Sequence, residues 1–144
     1  MMSILVVVAD SSRARILSAE DRRGRLQEVK DLVHPEARLR EQELVADGVG
    51  AGTGNGNGSH SMGHEKDAHQ RHAELFAREL CQELGQTSQD NEVHKIYLVA
   101  APRFLGLMRS GLNKNCSNKV VGELDKNLVA QSIEVIRDHL PKVL

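Results

Sequence analysis

The chain has 144 residues, of which 40% are apolar and only 2% aromatic, with no tryptophan, so one domain's length must be filled by an aliphatic core of Leu, Val, Ile and Ala. Nineteen basic residues against twenty acidic ones leave a formal net charge of −1, which argues against a surface that holds nucleic acid by bulk positive charge. Cys81 and Cys116 lie far apart and outside any C-x-x-C pair, which leaves no disulfide framework and no cysteine zinc site.

Ser3–Ala9 reads as a strand buried on both faces, because β-branched residues run through it without polar interruption. Its apolar run is too short for a signal-peptide core, no basic segment precedes it, and no stretch of the chain reaches transmembrane length. A soluble, cytoplasmic protein with no membrane partner is expected. "RARILS" alternates Arg13 and Arg15 with Ala14 and Ile16, the period of a half-exposed strand hairpinned to the first. Gly24 marks a turn, and "LQEVKDLV" continues as a third strand that ends at Val33-His34-Pro35.

Residues 46–64 hold seven of the twelve glycines. Their strict alternation from Gly48 to Gly58 lacks the change of parity that G-x-G-x-x-G requires, and no Gly-Lys-Ser/Thr follows. The segment is read as a flexible loop, about 46–64, within a single domain spanning 1–144, and no cofactor is expected. Helical spacing of Ala68, His72, Leu75, Phe76, Ala77, Leu80 and Leu84 predicts a helix over 65–84 that Gly85 ends. "HKIYLVAA" is a fourth strand, and Pro102 opens a helix carrying Phe104, Leu105, Met108 and Leu112 on one face. "NKVVGEL" is a fifth strand, and Ser132 caps a last helix facing Ile133, Ile136 and Leu140 inward until Pro141 stops it.

Three hairpin-linked strands followed by two right-handed crossovers make an α/β mixed five-stranded sheet of the ribonuclease H-like plan. The expected order is 3-2-1-4-5, with strand 2 antiparallel and helices on both faces. Strands one, three, four and five then end on one rim, where open α/β sheets bind ligands. The rim gathers Asp10, Ser11, Ser12 and Arg13, then His34 and Arg38, then Arg103, then Asp125 and Lys126. These are the candidate binding residues, and no catalytic residue is assigned.

Asp10 occupies the place where ribonuclease H-like nucleases keep their first metal ligand. Two-metal cleavage needs several carboxylates around cations about 4 Å apart, and only Asp125, with Glu36 or Glu43, would join it. The fourth strand instead ends in Ala100-Ala101-Pro102-Arg103, which suits an anion. Asp10 before Ser-Ser is therefore read as bonding turn amides, with a nuclease using Asp10 and Asp125 as the alternative. His69 and His72, three apart on one helix face, have metal-compatible spacing, and with His60 and His64 they form a histidine-rich stretch; the preferred reading is a solvated segment with His72 partly packed and no bound metal. Arg13, Arg38, Arg40, Arg103, Arg109, Lys114, Lys119 and Lys126 fall on or near the rim or the helix after the fourth strand, and phosphate contacts from such groups set affinity without reading sequence. Tyr97, Phe76 and Phe104 are the only aromatics, too few for base stacking on single strands.

The stretches "VVVADSSRARI", "DLVHPEARLREQELVADG", "HAELFAREL", "LVAAPRFLGLMR" and "VVGELDKNL", in this order, resemble the bacterial host-attachment protein family nearly end to end. The glycine-asparagine run at 50–58 departs from the family pattern. The resemblance implies a fold similar to the central domain of archaeal and eukaryotic peptide-chain release factors and of Pelota, and a role in attachment to host cells. The Gly-Gly-Gln tip of the release factors is missing, "ELGQTS" at 83–88 being the nearest string, so peptide release is not implied. With no export signal, attachment is expected to be indirect. The resulting expectation is a non-catalytic binding domain for structured RNA or the ribosome, with DNA not expected as a partner; a protein–protein scaffold or homo-oligomer is a further alternative.

Overall fold

A computed structural model describes residues 3–34, 58–90 and 92–144. Pro35, Glu36, Arg38, Arg40, Glu43 and the glycine-rich residues 46–57 lie outside the described residues. In chain order the elements are β1 (Ser3–Ala9), β2 (Arg13–Ala19), β3 (Gln27–Val33), α1 (Gly58–Asp90), β4 (Val93–Val99), α2 (Pro102–Gly111), α3 (Lys114–Lys119), β5 (Val120–Leu124) and α4 (Ile133–Asp138). The sheet has the order β3-β2-β1-β4-β5. β1 pairs antiparallel with β2 and parallel with β4, while β3 is antiparallel to β2 and β5 parallel to β4. Strand 2 alone runs against the others, as the sequence pattern predicts. Among the described residues no helix is long and apolar enough to cross a membrane.

β1 is central, and successive side chains of a strand point to opposite faces, so its two sets of residues enter two cores. Leu5, Val7 and Ala9 pack with Phe76, Ala77, Leu80 and Leu84 of α1 and with Phe104, Leu105 and Met108 of α2. Ile4, Val6 and Val8 face the other way, toward Leu26, Tyr97, Leu128, Val129, Ile136 and Leu140. Side chains as fully buried as Leu80 and Ile136 each stabilise the fold by about 1.5–3 kcal/mol. β4 repeats the division, with Ile96 and Leu98 in the first core and Tyr97 and Val99 in the second. On the second face Gly122 of β5 lies against the Tyr97 ring, so closely that a Cβ there would stand 2.8 Å from Cδ1.

Three features differ from the sequence expectation. First, α1 starts at Gly58 and runs through Gly85 to Asp90, so residues 58–64 of the expected loop are helical. A glycine inside a helix costs only about 1 kcal/mol; the turn beyond Gly85 buries Thr87 and Ser88, and Ser88 accepts from Lys119 Nζ at 3.1 Å. Second, α3 precedes β5. Asn113 caps it by accepting from the Cys116 amide at 2.7 Å, satisfying a first-turn donor as N-cap residues do. Third, β2 does not alternate cleanly, because Arg15 is buried. The segment after β5 crosses it, and Arg15 Nη1 donates to the carbonyls of Val129 at 3.0 Å and Gln131 at 2.6 Å. Its Nε meets Glu28 at 2.8 Å.

Candidate functional site

The turn between β1 and β2 is organised by Asp10. Its Oδ1 accepts from the amides of Ser12 and Arg13, both at 2.8 Å, and from Ser12 Oγ at 3.2 Å. Its own amide donates to the Arg13 carbonyl at 2.8 Å, so one short side chain closes the hairpin. This is the local hydrogen bonding that favours Asp in turns. The carboxylate faces the backbone of its own turn.

β3 delivers His34 to the same turn, its amide donating to the Ser12 carbonyl at 2.9 Å. The side chain does not line a solvent-facing rim. His34 is 3% exposed because its ring lies over Phe76 of α1, with centroids 5.4 Å apart, and beside His72, at 5.6 Å. Phe76 in turn meets Phe104 at 6.0 Å, so one row of rings ties the end of β3 to α1 and α2. Arg13 forks onto Asp31 of β3, Nε to Oδ1 at 3.1 Å and Nη2 to Oδ2 at 2.9 Å. That hydrogen bond holds its pKa above the usual value for arginine.

At the other half of the rim the ends of β4 and β5 are joined by the Ala100 amide donating to the Leu124 carbonyl at 3.1 Å. Arg103, in the first turn of α2, and Asp125 and Lys126, just beyond β5, are all exposed and make no side-chain hydrogen bond or ion pair with another described residue. Arg109, further along α2, is paired with Glu123 of β5; this hydrogen bond raises the arginine pKa and lowers that of the carboxylate. Lys119 is engaged by Ser88, while Lys114 is exposed.

Asp10, Ser12, Arg13 and His34 thus form one hydrogen-bonded group, with half-buried Ser11 beside them, whereas Arg103, Asp125 and Lys126 are exposed singly just beyond the ends of the neighbouring strands. β4 lies between β1 and β5, which sets the backbones at Asp10 and Asp125 about 10 Å apart by strand spacing. Between them β4 ends in Ala100 and Ala101, with no oxygen-bearing side chain. Among the described residues no group of three or more His, Cys, Asp or Glu side chains is placed to hold a metal ion. His69 is exposed, whereas His72 turns toward His34; the side chains of His60 and His64 fall outside the described set. Sequence reasoning missed this His34–His72 pair and the nearby Glu79, whose carboxylate Oε2 stands 3.9 Å from His34 Nδ1. The signal was the spacing of His72, Phe76 and Glu79 along one face of α1.

A protein-family model described as "Protein required for attachment to host cells" matches residues 5–140. No curated protein matches the chain. Among solved structures, an archaeal translation termination factor is 12% identical with a TM-score of 0.48, covering 84% of this chain and 29% of its own. A structure described as an archaeal protein is 10% identical with a TM-score of 0.49, covering 94% of this chain and 36% of its own. The chain therefore spans about a third of the length of these two structures.

Proposed function

Because the chain belongs to the family of proteins required for attachment to host cells, which implies an attachment-related role, we propose that it serves attachment indirectly, as a non-catalytic domain that binds structured RNA or the ribosome. The observation that carries this reading is the exposure of Arg103 and Lys126 at adjoining strand ends, with no ion-pair partner among the described residues. Among the other described cations that the sequence places near the rim or on the helix after β4, Arg13 is held by Asp31 and Arg109 by Glu123, while Lys119 stands before Val120, at the opposite end of β5, where it meets Ser88. The start of α2 beside Arg103 adds the partial positive charge of a helix N-terminus. Phosphates bound by such groups release counterions, so affinity falls steeply with salt and carries little base specificity.

The test is fluorescence anisotropy of a labelled RNA hairpin across a salt series. Arg103→Ala and Lys126→Ala should each weaken binding for every hairpin alike and lower the salt slope by about one unit. Unchanged affinity in both variants defeats the proposal. The nuclease alternative is separated by Asp10→Asn, which keeps the turn acceptor and removes the carboxylate charge: hydrolysis present in the parent and lost in this variant would favour the enzyme. A protein scaffold is the second reading, supported by Val29 and Val33 of β3 and Val121 of β5, which are exposed on the two edge strands.

A further inference from the structure

His34 Nε2 and His72 Nδ1 are both buried and have no hydrogen-bond partner among the described residues. A buried polar nitrogen without a partner costs about 1–3 kcal/mol, and two such atoms occur on neighbouring rings. The spacing of the two rings is close to that of two imidazoles on a shared ion. With metal–nitrogen bonds of about 2.0–2.1 Å and a tetrahedral angle, two imidazoles on one zinc have ring centroids about 5–5.5 Å apart; here they are 5.6 Å apart, with planes tilted by 55°. The second nitrogen of the His34 ring, Nδ1, faces the Glu79 carboxylate at 3.9 Å. At that distance the carboxylate makes no direct hydrogen bond, but its charge favours the tautomer with the proton on Nδ1, which leaves Nε2 free to bind.

We propose that His34 Nε2 and His72 Nδ1 are the protein ligands of an exchangeable site for a late first-row divalent cation of the zinc, nickel and copper class. Imidazole nitrogens select this class over magnesium or calcium, which require oxygen ligands. The two imidazoles are the only protein ligands proposed, since no group of three or more His, Cys, Asp or Glu side chains among the described residues is placed to hold a metal ion. Glu79 is a positioning residue that acts through His34. The site is independent of the anion-binding role of Arg103 and Lys126.

The experiment is calorimetric titration of the full chain with zinc chloride, with magnesium chloride alongside. Four variants are compared: His72→Gln, His34→Gln, Glu79→Gln, and a triple variant in which His60, His64 and His69 are each changed to Gln. The parent and the triple variant should bind zinc equally and ignore magnesium. His72→Gln should weaken zinc binding at least about tenfold, and Glu79→Gln by less than about tenfold, because its carboxylate acts at 3.9 Å without a hydrogen bond. His72 is only half-buried, so its variant decides the matter if His34→Gln fails to fold. Zinc affinity that survives His72→Gln but disappears in the triple variant assigns binding to His60, His64 and His69 and overturns the proposal, as does a parent protein that takes up no zinc.

Discussion

Replacing Asp10 with Ala removes the acceptor that closes the β1–β2 turn, and the structure sets the size of the effect. Two backbone amides at 2.8 Å and one hydroxyl at 3.2 Å converge on a single carboxylate oxygen, in a partly buried turn. A hydrogen bond to a charged group contributes about 1.5–3 kcal/mol when buried, and loss of a comparable helix cap costs about 0.5–2. Partial solvation of the freed amides brings the expected loss for Asp10→Ala to about 2–3 kcal/mol. At about 2–4 °C per kcal/mol for a domain of this size, Tm should fall by about 4–12 °C. Asp10→Asn retains an Oδ1 acceptor and should lose about 1 kcal/mol or less. Urea unfolding of both variants, with unchanged m-values, supplies the comparison. Equal, large losses in the two variants would show that the negative charge itself matters, and an unchanged Asp10→Ala would remove the turn from the argument.

Arg15→Met strips the donors from the Val129 and Gln131 carbonyls and leaves Glu28 alone; thermal unfolding should show a loss of about 3 kcal/mol. Gly122→Ala drives a methyl group into the Tyr97 ring, costing about 1–3 kcal/mol, and a double-mutant cycle with Tyr97→Leu should recover part of it. Burial pushes the Cys81 thiol up to about 11, so native protein at pH 8.5 should resist iodoacetamide at this position. Because the folded state holds that proton to higher pH than the unfolded chain, Cys81 contributes stability that is complete below about pH 8.5 and lost as pH rises toward 11. Cys81→Ala should flatten that alkaline decline in a pH series of Tm values.

The central strand was readable because Ile4–Ala9 carries no polar residue, and a strand without alternation can only be buried on both faces. The crossovers followed from strand and helix alternating after β3, and Pro102 and Ser132 marked two helix starts by chemistry that acts locally. What escaped detection depends on contacts distant in sequence. Arg15 looks exposed on a two-residue period until Val129 and Gln131 supply acceptors from more than a hundred residues away. Gly85 reads as a helix end because its intrinsic cost is local, whereas the burial of Ser88 that carries the helix onward is not. At the rim, the Asp-Ser-Ser turn was legible from side-chain chemistry, but the burial of His34 was not, since a strand-ending histidine shows no sign of the Phe76 and His72 rings that cover it.

The proposed function is tested most directly by sedimenting the tagged protein with ribosomes from its own host lysate, at low and high salt, beside an Arg103→Ala variant whose Tm matches the parent. The account requires co-sedimentation at low salt that high salt releases and that the variant loses. Parent protein that stays at the top of the gradient at low salt, or a variant that sediments equally well, would contradict it.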